Sequence, residues 1–303
     1  MEKKEWIVQS EFDGLPLHVC VYEPSGEKKG VLQILHGMCE FKERYHAFMQ
    51  FFAENGYVAV CHDHRGHGDS VLDEKDRGYF YELSGKAIVQ DAVQITQKIK
   101  AEYPDLPVTL FGHSMGSMVA RCYLRDNDDC IDKAIICGSP SKNPLVGMAI
   151  FLEKCIRLFY GARHRSKMLA YLSTGKGDGN FEGEGKGAWL CRDRSVIEKY
   201  YGNPKSNYKF TCNGFENLFR LMKRTYTKKG YQVKNPSLPI HFVSGSDDAV
   251  MGDEMQWFKA IECLRGVGYT DVTGKLYKGL RHEIFNDIGK EEVLSDLLAF
   301  LEK

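Results

Sequence analysis

Gly112-His113-Ser114-Met115-Gly116 fits G-x-S-x-G, a spacing that can present a serine hydroxyl as a nucleophile. The pattern alone is common, and its neighbours decide what it means. It follows the apolar run Val108–Phe111 and opens a stretch with Met115, Met118, Val119 and Cys122 on one helical face. That order predicts a strand, a tight turn and a helix. Such a turn pushes the serine oxygen out at the top of a sheet, and the glycines leave room on either side. The following N–H, that of Met115, then lies at a helix N-terminus, where it can stabilise an anion.

A serine hydroxyl is a poor nucleophile until a base removes its proton. Of the ten histidines, His282 is best placed, in Tyr277-Lys-Gly-Leu-Arg-His-Glu283 just after the last strand-like run. His36 and His113 adjoin strand ends and read as turn or supporting residues. His62, His64 and His67 cluster, but no acidic or cysteine ligands stand at metal spacing, so neither a metal nor any other cofactor is expected. A carboxylate must orient the imidazole. Ser244-Gly-Ser-Asp-Asp-Ala-Val250 offers Asp247 and Asp248, and neighbours in an extended loop point apart, so one of the two can serve. Leu35-His36-Gly37-Met38 ends another strand-like run, and the Met38 N–H is the candidate second donor to an oxyanion.

These residues need a scaffold that brings strand ends together. Short apolar runs at Gly30–His36, Tyr57–Cys61, Val108–Phe111, Ala134–Cys137, Ile240–Val243 and Lys275–Tyr277 alternate with amphipathic stretches. That alternation predicts an α/β protein with a mostly parallel sheet covered by helices on both faces. Trp6–Phe12 and Leu17–Tyr22 read as an antiparallel hairpin at its edge. Helices are expected at Phe215–Tyr226, Met251–Leu264 and Glu291–Lys303. The rhythm breaks between about 139 and 211, where no clean strand occurs and Thr174–Gly187 holds Gly175, Gly177, Gly179, Gly183, Gly185 and Gly187. The expected organisation is a core of 1–138 and 212–303, with 139–211 inserted as a cap or lid.

Bulk composition narrows the classes. Lys+Arg and Asp+Glu are 41 each in 303 residues, and this balance argues against nucleic acid as the main partner. The basic start Met1–Trp6 has no apolar stretch behind it, and Leu145–Leu152 is too short to span a bilayer, so neither a secretory signal nor a transmembrane segment is expected. Ten scattered cysteines without a C-x-x-C pair suggest reduced thiols and a cytoplasmic protein.

Five motifs, in order from about residue 30 to 290, resemble the monoacylglycerol lipase and lysophospholipase branch of the α/β-hydrolases, often grouped as the serine aminopeptidase family. His36-Gly-Met-Cys-Glu-Phe-Lys-Glu-Arg-Tyr45 is similar to HG-x-x-E-H-x-x-RY, with Phe41 in place of the usual histidine. Asp63-His-Arg-Gly-His-Gly-Asp-Ser70 is similar to D-x-RGHG-x-S, and Gly112–Gly116 to GHSMG. Gly245–Val250 is similar to G-x-x-D-x-V and Arg281-His-Glu283 to RHE; Trp189-Leu-Cys-Arg-Asp193 also looks like the W-L-x-R-D of bacterial members.

The resemblance implies an α/β-hydrolase fold with an inserted cap, Asp248 as the acid, and the chain order Ser114, Asp248, His282. It implies hydrolysis of carboxylic esters with an acyl chain, of monoacylglycerol lipase, lysophospholipase or carboxylesterase type. Met148, Leu152 and Ile156, in an expected cap helix near Leu145–Phe159, are candidates to line an acyl channel or simply to pack the cap. A peptidase or amidase would use the same triad. A non-catalytic binding protein would usually have lost one of its members.

Overall fold

Branched and aromatic runs of five or six residues are too short for helices and bury well on a pleated surface, so they become strands. The computed structural model describes residues 1–174, 179 and 181–303. In chain order it runs β1 (Glu2–Gln9), β2 (Pro16–Glu23), β3 (Gly30–Leu35), α1 (His46–Glu54), β4 (Tyr57–His62), α2 (Ala87–Glu102), β5 (Val108–His113), α3 (Met115–Asn127) and β6 (Lys133–Cys137). There follow α4 (Val146–Tyr160), α5 (Lys167–Thr174), α6 (Arg194–Gly202), α7 (Cys212–Thr225), β7 (Ile240–Gly245), α8 (Glu254–Arg265), β8 (Val272–Tyr277) and α9 (Lys290–Glu302). The eight strands form one sheet in the order β1-β2-β4-β3-β5-β6-β7-β8, antiparallel at β1, β2 and β4 and parallel from β4 onward.

The period of two along each strand divides the core. On β3, Val31 and Leu35 enter one cluster with Ile88, Ile95 and Ile99 of α2, Val119 of α3 and Phe215 and Phe219 of α7. Leu32 and Ile34 enter the other, with Phe48 and Phe52 of α1 and Val293, Leu297 and Leu301 of α9. Helices thus cover both faces, as the alternation predicted. The chain after β3 turns to one face and the chain after β5 to the other, although these strands are neighbours. The crevice beyond their C-terminal ends is where open α/β sheets bind ligands.

Among the described residues no strand lies between β6 and β7; α4, α5, α6 and α7 occupy that stretch. Gly183, Gly185 and Gly187 all have φ between 82° and 86°, while Gly175 and Gly177 lie outside the described residues. Helix α4 packs on α7 through an unusual pair. Glu153 and Glu216 are fully buried, each with one oxygen lacking a partner, while Arg157 and Arg220 hold the other oxygens at 2.9 and 2.5 Å.

Burial, and then the neighbouring Glu216 carboxyl, push the Glu153 carboxyl up to about 8, so the folded pair holds a proton at neutral pH. An unfolded chain releases that proton above the ordinary 4.5. The stability it confers is therefore complete below that pH and is lost as pH rises towards 8. Glu153→Gln is expected to raise Tm at pH 8 by about 2 °C and to flatten its fall from pH 5. If calorimetry gives wild type and variant the same pH slope, another group is titrating.

Candidate active site

β5 passes into α3 through one residue, Ser114, with φ 54° and ψ −116°. A non-glycine residue held there costs about 1–3 kcal/mol and persists only where its surroundings over-determine it. Here the Ser114 N–H donates to the Cys137 carbonyl at 2.9 Å, and the Ser114 carbonyl accepts from the Ser117 hydroxyl at 2.6 Å. The turn leaves no slack. A Cβ at Gly116 would lie 2.0 Å from the Leu35 carbonyl oxygen, so helix α3 can approach the end of β3 only with glycine in that place.

His282 lies beside this turn in the loop after β8. Its Nδ1–H faces both Asp248 oxygens, at 2.9 and 3.0 Å, and both residues are buried. Asp248 also accepts from the Val250 N–H at 2.8 Å and the Ser244 hydroxyl at 2.9 Å. Burial would raise its carboxyl, but the His282 ring and these donors outweigh that and hold it below the ordinary range. Burial would likewise lower His282; the Asp248 charge and hydrogen bond, with the charges of Glu283 and Glu40, raise it instead. Asp247 is exposed and takes the Ser246 hydroxyl, so of the two adjacent carboxylates only Asp248 meets the imidazole. A Cβ at Gly138, which follows Cys137 at φ 55°, would sit 3.1 Å from His282 Cε1. The imidazole therefore lies over the strand end that also anchors Ser114. Neither the Ser114 hydroxyl nor His282 Nε2 has a hydrogen-bond partner among the described residues.

The loop after β3 closes the other side. A Cβ at Gly37 would be 3.3 Å from Ser114 Cβ. His36 fixes this loop in one tautomer: its Nδ1–H donates to the Gly37 carbonyl at 2.7 Å and its Nε2 accepts the His64 N–H at 2.9 Å. Asp63 holds the next turn, accepting from the Lys42 N–H and Nζ at 2.8 Å each. The N–H groups of Met38 and Met115 have no hydrogen-bond partner among the described residues. His113 Nε2–H donates to the His282 carbonyl at 3.2 Å, a supporting role that its strand-end position suggested.

His62, His64 and His67 are fully buried and pack with His36 and with one another, their rings 4.3–6.3 Å apart. Burial lowers the proton affinity of all three. A separate group, Glu43, Asp63 and Asp69, already has a cation: Lys42 Nζ reaches the three at 2.9, 2.8 and 3.1 Å.

The segment before α6 is stitched to the histidine loop. Arg281 donates to the Ala188 carbonyl at 2.7 Å and to Glu184 at 2.5 Å, and the Glu283 N–H donates to the Leu190 carbonyl at 2.7 Å. The Trp189 ring lies 5.3 Å from that of His282. The three α4 candidates separate: Met148 is 58% exposed, whereas Leu152 and Ile156 are half-buried against the core. They therefore do not share one environment, because the helix turns its 149–153–156 side towards α7 and Met148 away from it.

The family model described as "Serine aminopeptidase, S33" matches residues 26–289, well over half the chain. Monoglyceride lipase of Mus musculus is 32% identical over 281 residues, covering 91% of this chain and 82% of that protein. The chain belongs to the serine aminopeptidase S33 family. Monoacylglycerol lipase of Mycolicibacterium smegmatis is 25% identical over 281 residues, covering 93% of this chain and 91% of its own. Among solved structures, a highly thermostable carboxyl esterase from Bacillus coagulans has a TM-score of 0.91 at 24% identity, covering 100% of this chain and 98% of its own. The fold is that of an α/β-hydrolase.

As an S33 family member the chain carries its departure, Phe41, buried and near Lys205 Nζ at 5.9 Å from the ring. Site neighbours that sequence reasoning did not assign are Trp189, Arg281, Gly138 and the trio Glu40, Arg44 and Glu283. Trp189, Arg281 and the trio lie inside quoted motifs, so the signal was present without a role attached to it.

Proposed function

We propose that this protein is a serine hydrolase that cleaves carboxylic esters bearing an acyl chain, through an acyl-enzyme on Ser114. The observation that carries the reading is the buried Asp248–His282 pair beside a serine held at φ 54°. In the reaction Ser114 Oγ attacks the ester carbonyl while His282 Nε2 takes its proton. Asp248 keeps the imidazole in the required tautomer and stabilises its positive form. The Met38 and Met115 N–H groups receive the oxyanion, each donor worth about 3 kcal/mol. The imidazolium then protonates the departing alcohol. Water, activated by the same histidine, releases the acid and restores Ser114.

The acyl chain is supported by the region proposed as the cap, residues 139–211. It exposes Phe151, Leu158 and Phe159 of α4 at 68%, 81% and 80%, large apolar side chains of the kind that meet an acyl chain. Leu152 and Ile156 remain the channel candidates. The names of the Mus musculus and Mycolicibacterium smegmatis relatives favour a glycerol ester over a peptide, despite the family's label. No helix among the described residues is long and apolar enough to cross a membrane, and all ten cysteines are free, which suits a reducing, cytoplasmic setting. The partner on this reading is a small acyl ester, and a formal net charge of zero argues against nucleic acid as the main one.

Monoacylglycerols and p-nitrophenyl esters of two to sixteen carbons, assayed beside matched anilides and aminoacyl peptides, test this reading. Ester kcat/KM is expected to exceed that of the matched amide by at least about 1,000-fold, because an amide leaving group needs firmer protonation. Faster amide than ester turnover would make the protein a peptidase.

A further inference from the structure

A buried ionic chain that takes no part in the proton transfers above joins the two loops flanking Ser114. Arg44 reaches the Glu283 carboxylate with two nitrogens, each at 2.8 Å, and reaches Glu40 Oε2 at 2.5 Å. Glu40 Oε1 accepts the Gly37 N–H and the Tyr45 hydroxyl, the latter at 2.9 Å. Glu283 directly follows His282, and Gly37 directly precedes Met38. One connected path therefore runs from the oxyanion loop through Glu40, Arg44 and Glu283 to the histidine. The three side chains are 4%, 10% and 2% exposed. Burying two carboxylates and a guanidinium is a poor route to stability, since apolar replacements of such groups are often as stable or more so. What the trio does supply is directional geometry, because a planar guanidinium fixes two carboxylates at once.

We propose that Arg44 is a positioning residue: by bridging Glu40 and Glu283 it sets the spacing between the Met38 amide and the His282 imidazole, so that oxyanion donor and base meet the same ester. This rests on Ser114 and His282 being the catalytic pair. The trio also carries one net negative charge beside His282, which favours the protonated imidazole.

The test measures kcat and KM on a butyrate ester from pH 5 to 9 for wild type, Arg44→Lys, Glu283→Gln and Ser114→Ala, with circular dichroism on each. A lysine keeps the charge but cannot make the fork. Arg44→Lys is expected to lower kcat about 10- to 100-fold with KM within threefold. Glu283→Gln is expected to lower kcat similarly and to move the acid limb of kcat/KM down by several tenths of a pH unit. A change in packing alone would not move that limb. Folded Arg44→Lys with kcat within twofold of wild type, or with the loss confined to KM, overturns the proposal. Should Arg44→Lys not fold, Glu283→Gln decides: unchanged kcat with an unmoved acid limb overturns it equally. Ser114→Ala separates the two levels. If that variant stays active the catalytic reading itself fails, and if it is inactive the other variants bear on positioning alone.

Discussion

Ser114→Ala is expected to lower kcat/KM on a short-chain ester by about four to six orders of magnitude, with the circular dichroism spectrum unchanged. The size follows from what remains. Without the hydroxyl no acyl-enzyme forms, but the Met38 and Met115 N–H groups and the binding surface still act on water attack, and such residual catalysis is about 1,000- to 10,000-fold over solution. The fold should survive because the turn is held by backbone contacts, from Ser114 N–H to the Cys137 carbonyl and from Ser117 to the Ser114 carbonyl. Neither uses the side chain of residue 114. Activity within tenfold of wild type would move the nucleophile elsewhere.

Asp248→Asn is expected to cost about 1,000- to 10,000-fold in kcat, and Asp247→Asn less than about twofold. An asparagine can present an N–H to His282 Nδ1, which stabilises the tautomer with its proton on Nε2 and leaves no lone pair to accept the serine proton. The Asp247 carboxylate faces solvent and accepts only the Ser246 hydroxyl among the described residues, while its N–H donates to the Leu280 carbonyl, a contact asparagine keeps. The pH profile carries the same logic. His282 works as a base when neutral, and the nearby carboxylates raise its proton affinity. The acid limb of wild-type kcat/KM should therefore fall at a pH above the ordinary 6.5 of histidine. The loss of one negative charge in Asp248→Asn moves it lower. A larger loss at position 247 than at 248 would reverse the assignment.

Much of the scaffold was legible because burial on both faces writes an unbroken apolar run. β4 is such a run, and β3, β5 and β7 are each broken once, by Gln33, Thr109 and His241; each strand forms where its run lies. The edges were harder. β1 spans Glu2–Gln9 and not Trp6–Phe12, because one face is open to solvent and its four consecutive charges, Glu2 to Glu5, hide the alternation. β8 begins at Val272, three residues earlier than its apolar signal, since pairing with β7 carries Thr273 and Gly274 into the sheet. α8 starts at Glu254 and not Met251: Gly252 has φ 83° and Asp253 caps the helix by accepting from the Gln256 N–H at 2.7 Å.

The strand order was not legible, because a crossover leaves no local pattern. Within the site, strand-end position and residue type brought forward Ser114, His282 and the Asp247–Asp248 pair. The Arg44–Glu283 bridge spans 239 residues, and nothing local in either motif tells that they meet. The channel candidates fared similarly: helical spacing groups Met148, Leu152 and Ile156, but only the packing of α4 on α7 decides which of them solvent reaches.

The proposed reaction passes through a covalent bond to one hydroxyl, that of Ser114. The most direct measurement is peptide mapping by mass spectrometry after reaction with a fluorophosphonate, followed alongside ester turnover. The expected result is one adduct per chain, on the peptide carrying Ser114, formed in step with loss of activity and absent from Ser114→Ala. An adduct on a different serine that tracks inactivation, or full ester turnover by a chain completely modified at Ser114, would contradict it.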